Sequence, residues 1–174
     1  MKRFILAFAF ITVCWSATAQ NFTVKNDEIM WQGVYETQLN QKDILKSMYT
    51  INNFSNIFIV DSTMITGLLK PIKFNIEDHG LRYMKTPMFL SQNMLGPAFF
   101  IIEIKEGKYR VTVRDIRLTA HVNTQLTPYG SVSHIESIAL SEGNFTSSFL
   151  DYADTLYHQL LVKVFTMIRW DEEW

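Results

Sequence analysis

Residues 97 to 120 of this 174-residue chain read PAFFIIEIKEGKYRVTVRDIRLTA. Two alternating runs, Pro97 to Lys105 and Lys108 to Ala120, flank Glu106-Gly107. A glycine-containing pair between such runs is a two-residue hairpin loop. The loop sets a register in which Lys105 faces Lys108, Glu103 faces Arg110, Ile101 faces Thr112 and Phe99 faces Arg114. Side chains alternate between the faces of a strand, so Phe100, Ile102, Ile104, Tyr109, Val111 and Val113 share the core side. Phe99, Ile101, Glu103, Arg110, Thr112 and Arg114 share the outer side. There the salt pair Glu103–Arg110 and the aromatic–guanidinium pair Phe99–Arg114 contribute about 0.2–1 kcal/mol each. Past Arg114 the apolar phase slips to Ile116 and Leu118, which a bulge near Arg114-Asp115 explains.

Other elements follow from the same periodicities. Asp27 to Glu36 alternates, with Ile29, Trp31 and Tyr35 on one face and Gln32 and Glu36 on the other, and reads as a first strand. In LNQKDILKSMY, Asn40 suits an N-cap and Asp43 the acid of a capping box, with Leu39 and Ile44 spaced for a hydrophobic staple. Ile44, Leu45, Met48 and Ile51 line one side of that short helix. Asn56 to Asp61 reads as a second strand and Asp61-Ser62-Thr63 as a turn. Met64 to Ile76 reads as a third strand, weakened by Gly67 and by Pro71, which places its end at an edge or bulge. From Asn144 to about Trp170, Phe145, Phe149, Ala153, Leu156, Leu160, Val164 and Met167 recur at helical spacing. Asp151 and Asp154 lie toward the start of that segment, Lys163 and Arg169 toward its end, as the helix dipole prefers. The order is β-α-β-β-β-β-α. It predicts an α+β fold: a curved antiparallel sheet, both helices on one face, and a long C-terminal helix. The other face is then open, or covered by a loop or a partner.

The first residues, MKRFILAFAFITVCWSATAQ, combine a basic start, an apolar run and Ala17-Thr18-Ala19. That pattern predicts a signal peptide over residues 1–19, cleaved between Ala19 and Gln20. The apolar run is too short for a spanning helix. Cys14 is the sole cysteine, and Val13 before it and Trp15 after it argue against a lipid-modified site. The mature chain, residues 20–174, therefore has no cysteine, which excludes disulfides, thiolate metal sites and cysteine nucleophiles. Its length suits one domain. Removing Lys2 and Arg3 leaves 14 basic against 17 acidic residues, a net charge near −3. Nucleic-acid readout wants a basic domain, so no nucleic-acid partner is expected, and no second apolar run is long enough for a membrane span.

Several features occur in order: Trp31-x-x-x-Tyr35, the short helix after it, Asp61 with Ile65-Thr66-Gly67, Gly107-x-Tyr109-Arg110 running into Asp115-Ile116, and a long terminal helix. In these the chain resembles a bacterial secreted family of unknown function described as having a TATA-box-binding-protein-like fold. The resemblance spans nearly all of the mature chain. It implies the same β-α-β4-α order, no assigned activity, and export to the periplasm or exterior of a Gram-negative cell. The fold name carries no implication of DNA binding. One stretch departs from the pattern, EDHGLRYMKTPMFLSQNMLGP over residues 77–97, long for a hairpin connection. Met84, Met88, Phe89, Leu90, Met94 and Leu95 make it apolar and adaptable.

No Gly-x-Ser-x-Gly, HExxH or phosphate loop is present, so no catalytic residue, enzyme activity or cofactor is expected. Glu77, Asp78 and His79 are adjacent and cannot all point at one centre, and His121, His134 and His158 lack ligand spacing; no metal site is expected. Asp61-Ser62-Thr63 matches the Asp-Ser/Thr-apolar pattern of bacterial O-glycosylation loosely, making Ser62 a candidate acceptor. The expected function is a non-enzymatic envelope module binding a protein or cell-envelope component. The candidate surface is Phe99, Ile101, Arg110 and Arg114, with Met84, Met88 and Met94 of the insertion. The alternative is a carrier holding a small apolar ligand between the sheet and the C-terminal helix.

Overall fold

The computed structural model describes residues 22–125 and 127–166. The expected signal peptide and its Ala19/Gln20 junction, with Met167, Arg169 and Trp170 of the expected helix, lie outside the described residues.

A six-stranded antiparallel sheet organises the molecule. It comprises β1 (Phe22–Lys25), β2 (Glu28–Glu36), β3 (Phe54–Asp61), β4 (Met64–Leu69), β6 (Ala98–Lys105) and β7 (Lys108–Arg114), while β5 (Asn93–Leu95) belongs elsewhere. The strands lie in the order β1-β2-β7-β6-β4-β3. One strand is an addition to the sequence reading, which began the sheet at Asp27. Asn26 and Asp27 both take left-handed backbone (φ 53° and 59°), the geometry of a primed hairpin turn, and so β1 folds back on β2 with Phe22 opposite Trp31. The β6–β7 register is the expected one throughout, from Phe99 opposite Arg114 to Lys105 opposite Lys108.

After β2 the chain forms α1 (Gln41–Thr50) and crosses to the far edge of the sheet. Asn40 and Asp43 form the reciprocal capping box, and Leu39 and Ile44 of the staple are buried. The hairpin from β3 to β4 turns at Ser62-Thr63, where the Asp61 carboxylate accepts from the Thr63 N–H and hydroxyl at 2.7 and 2.8 Å. Two register shifts interrupt β3, one between Ser55 and Phe58 and one between Ile59 and Asp61. Asn56 sits left-handed within the first.

Three expected elements are corrected. The third strand ends at Leu69 rather than Ile76, because Pro71 cannot donate to the ladder; only Ile72 continues, as a single bridge to Leu95. The run from Lys108 to Ala120 is two strands. Asp115 takes φ 48°, and beyond it β8 (Arg117–Ala120) joins a separate three-stranded sheet, β5-β8-β9, with β9 at Val132–His134. The expected bulge is thus a change of sheet. The C-terminal helix is shorter than expected. Glu136–Ala139 forms a short helix α3, Asn144–Phe145 pairs with Leu140–Ser141, a π-helical turn covers Phe149–Ala153, and the regular helix α4 spans Asp154–Phe165.

The core lies between one face of the large sheet and the layer of α1 and α4. Trp31, Ile44, Phe100, Ile102, Val111, Val113, Tyr157 and Phe165 are buried there. Phe165 meets Trp31, Phe54 and Phe100 with ring centres 6.1, 5.4 and 5.7 Å apart. Each such ring contributes about 1.5–3 kcal/mol through removal from water. Trp31 is tied further: its indole N–H donates to His158 Nδ1 at 3.1 Å. An indole nitrogen only donates, so His158 accepts there as the Nε2–H tautomer.

An open sheet face as the candidate binding surface

The helices occupy one face of the large sheet, and the opposite face follows from strand alternation. Across it run Gln32 and Val34 of β2, Arg110, Thr112 and Arg114 of β7, Phe99, Ile101 and Glu103 of β6, Thr66 and Leu68 of β4, and Phe58 of β3. Val34 and Phe58 are 64% exposed and Leu68 37%. Polar partners hold the centre. Arg110 binds Glu103 through two nitrogens at 2.8 and 2.9 Å, and the Arg114 guanidinium lies 5.4 Å from the Phe99 ring centre. Gln32 donates to the Thr112 hydroxyl at 3.1 Å. A hollow of about 170 Å³ opens beside Val34, Lys105, Lys108 and Arg110.

The candidate residues fall into separate groups. Phe99, Ile101, Arg110 and Arg114 share the open face as expected, but Phe99 and Ile101 are half-buried by their neighbours. Val34, Phe58 and Leu68 supply more exposed apolar surface, and the sequence reading passed over all three. Val34 was legible from the alternation that placed Gln32 and Glu36 outward. Phe58 was obscured because the shift at Asn56 breaks the period.

The 77–97 insertion does not lie on this face. Ile76–His79 and Tyr83–Lys85 form 3₁₀ turns, Met88–Gln92 forms a short helix α2, and β5 pairs with β8. His79 Nδ1 lies 3.1 Å from the Gln159 side-chain oxygen of α4, while Leu90 and Leu95 are buried in the core. The insertion thus packs on the helix side, where its own apolar residues order it. Met84 is fully exposed and Met88 65% exposed, whereas Met94 is half-buried in β5 opposite Thr119. The two surfaces that the sequence reading joined are therefore distinct. Ser62 is exposed on the β3–β4 turn. It borders an open cleft of about 480 Å³ with Asn40, Gln41 and Lys105.

Two carboxylates differ in their surroundings. Asp115 binds Arg117 at 2.9 and 3.2 Å, and this hydrogen bond and charge raise the Arg117 guanidinium further above its usual value. Asp154 is pushed up by burial, which outweighs the opposing influence of nearby His158. The space between sheet and α4 is filled by rings. Tyr35 and Tyr109 stack 4.9 Å apart, and the Tyr109 hydroxyl donates to the Phe165 carbonyl at 2.7 Å. Among the described residues no three His, Asp or Glu side chains converge as metal ligands, and no helix is long and apolar enough to cross a membrane.

An antiparallel sheet carrying α1 and α4 on one face, with the other left open, defines a TBP-like α+β fold. One solved structure bears this out: a TBP-like protein from Parabacteroides distasonis aligns over 82% of this chain and 94% of its own at TM-score 0.50 and 12% identity. A DUF4468 family protein from Bacteroides ovatus aligns over 87% and 94% at TM-score 0.48 and 11% identity. No family model and no curated protein matches the sequence. The likeness is one of fold.

Proposed function

We propose that this chain is an exported, non-enzymatic module that binds a protein or cell-envelope component through the open sheet face. The observation that carries the reading is the set of apolar side chains, Val34, Phe58 and Leu68, exposed across a face that no helix covers. Buried apolar anchors amid paired charges are the usual composition of a recognition surface. Arg110–Glu103 and Arg114–Phe99 would supply orientation more than affinity. The ring-filled interior supports this reading over a carrier of an apolar ligand between sheet and α4.

Pull-down from envelope extract tests it, with wild type beside a Val34→Ser/Phe58→Ser variant. Both positions are exposed, so the variant folds, and it should lose the partner that the wild type captures. Identical partner lists would sink the proposal. Export rests on residues 1–19. N-terminal sequencing should find a mature chain beginning at Gln20, and a lipid-modified Cys14 would overturn that assignment.

A further inference from the structure

We propose that a cleft on the flank of α4, remote from the open face, binds a small organic anion carrying an apolar body. The cleft is about 380 Å³ and is lined by Lys73, Phe74, Asn75, Asp78, His79, Leu160 and Lys163. Its walls come from two elements. One is the segment leaving β4, anchored by buried Ile76 and by His79 against Gln159. The other is the second half of α4.

The electrostatics of the cleft are what call for a ligand. Lys73 and Lys163 reach it from opposite walls, are exposed, and make no ion pair with any described residue. Elsewhere two of the four described arginines, Arg110 and Arg117, are each bidentate to a carboxylate. Among the described residues Asp78 is the one acid on the rim, and its carboxylate accepts from the Asn75 amide at 3.3 Å rather than from either lysine. Lys73 is felt beyond the cleft: burial first, and then the Lys73 charge, hold the His121 imidazole below its ordinary value. Two like charges facing one concave space repel each other unless an anion sits between them.

The floor is apolar. Phe74 is held edge-on against buried Tyr157 with ring centres 5.9 Å apart, and Leu160 is nearly buried beside it. Charge above and hydrocarbon below match an anionic head with a short aliphatic or aromatic body. The site is separate from the face assigned to the partner, so either reading can fail without the other.

Titration of the protein with octanoate, followed by calorimetry or saturation-transfer NMR, is the test. Inorganic phosphate and octanol serve as the head-only and body-only probes. Octanoate should bind saturably and more tightly than either. A Lys73→Gln/Lys163→Gln variant, altered only at exposed positions, should bind it about tenfold more weakly. Absence of saturable octanoate binding, equal binding of octanol or of phosphate, or an unchanged affinity in the variant would each overturn the proposal.

Discussion

Val111 and Arg110 are neighbours in sequence and opposites in environment. Val111 is fully buried and Arg110 exposed in a bidentate pair with Glu103. Exchanging the pair, Glu103→Arg with Arg110→Glu, should leave stability within about 0.5 kcal/mol, because an exposed ion pair contributes little. Val111→Asp should cost about 4 kcal/mol or more, since an unpaired carboxylate would enter the core. Denaturant melts of the two variants check both outcomes. At His121, burial and then Lys73 depress the imidazole, so below pH about 6.5 the unfolded chain binds a proton that the folded chain resists. Its contribution is complete above that pH and is lost as pH falls through the depressed value. The ring is half-buried, and its Nδ1 finds no hydrogen-bond partner among the described residues. Melting temperature should fall less between pH 7 and 5.5 in His121→Gln than in wild type. Asp154 acts in the opposite sense: its raised value favours the folded state as pH falls, which is why the comparison must be made between variant and wild type.

Within elements, local chemistry and the long-range path of the chain differ in legibility. The capping box of α1 and the β6–β7 hairpin are set by residues three or four apart, and both formed as the spacing required. The β1 strand, the sheet change at Asp115 and the late start of α4 were not visible. Each depends on non-glycine residues adopting left-handed backbone, or on a segment such as Asn144–Phe145 finding a partner strand. The binding surface was half legible: alternation exposed Arg110 and Arg114, but only the assembled sheet shows that Val34 and Phe58 lie on the same face. Gly67 shows how closely elements can constrain one another. A Cβ there would stand 2.6 Å from the Phe100 ring, and that ring is pinned between Phe54 and Phe165. Gly67→Ala should therefore cost about 1–3 kcal/mol through overpacking, read as a lowered denaturation midpoint with unchanged slope.

At the scale of the molecule, an acidic balance and self-paired arginines argue against polyanion binding despite the basic strand β7. Binding to duplex DNA or RNA at physiological salt should be negligible for wild type and for Arg110→Glu/Arg114→Glu alike, by fluorescence anisotropy. Salt-sensitive micromolar binding that the double change abolishes would show the face to be a nucleic-acid surface after all. The far edge of the sheet carries a different hazard. β3 is the last strand in the order, and Phe54 to Val60 contains no charge, with Phe58, Ile59 and Val60 all more than half exposed. A straight strand of that composition would template its own copies into fibrils. The two register shifts work against this, because they interrupt the regular ladder that a second strand would zip onto. The Gln41 side chain further occupies the Asp61 carbonyl at 2.6 Å. At the rim, then, greasy side chains stand in solvent while the backbone beneath them is kept out of step with any straight strand that comes alongside.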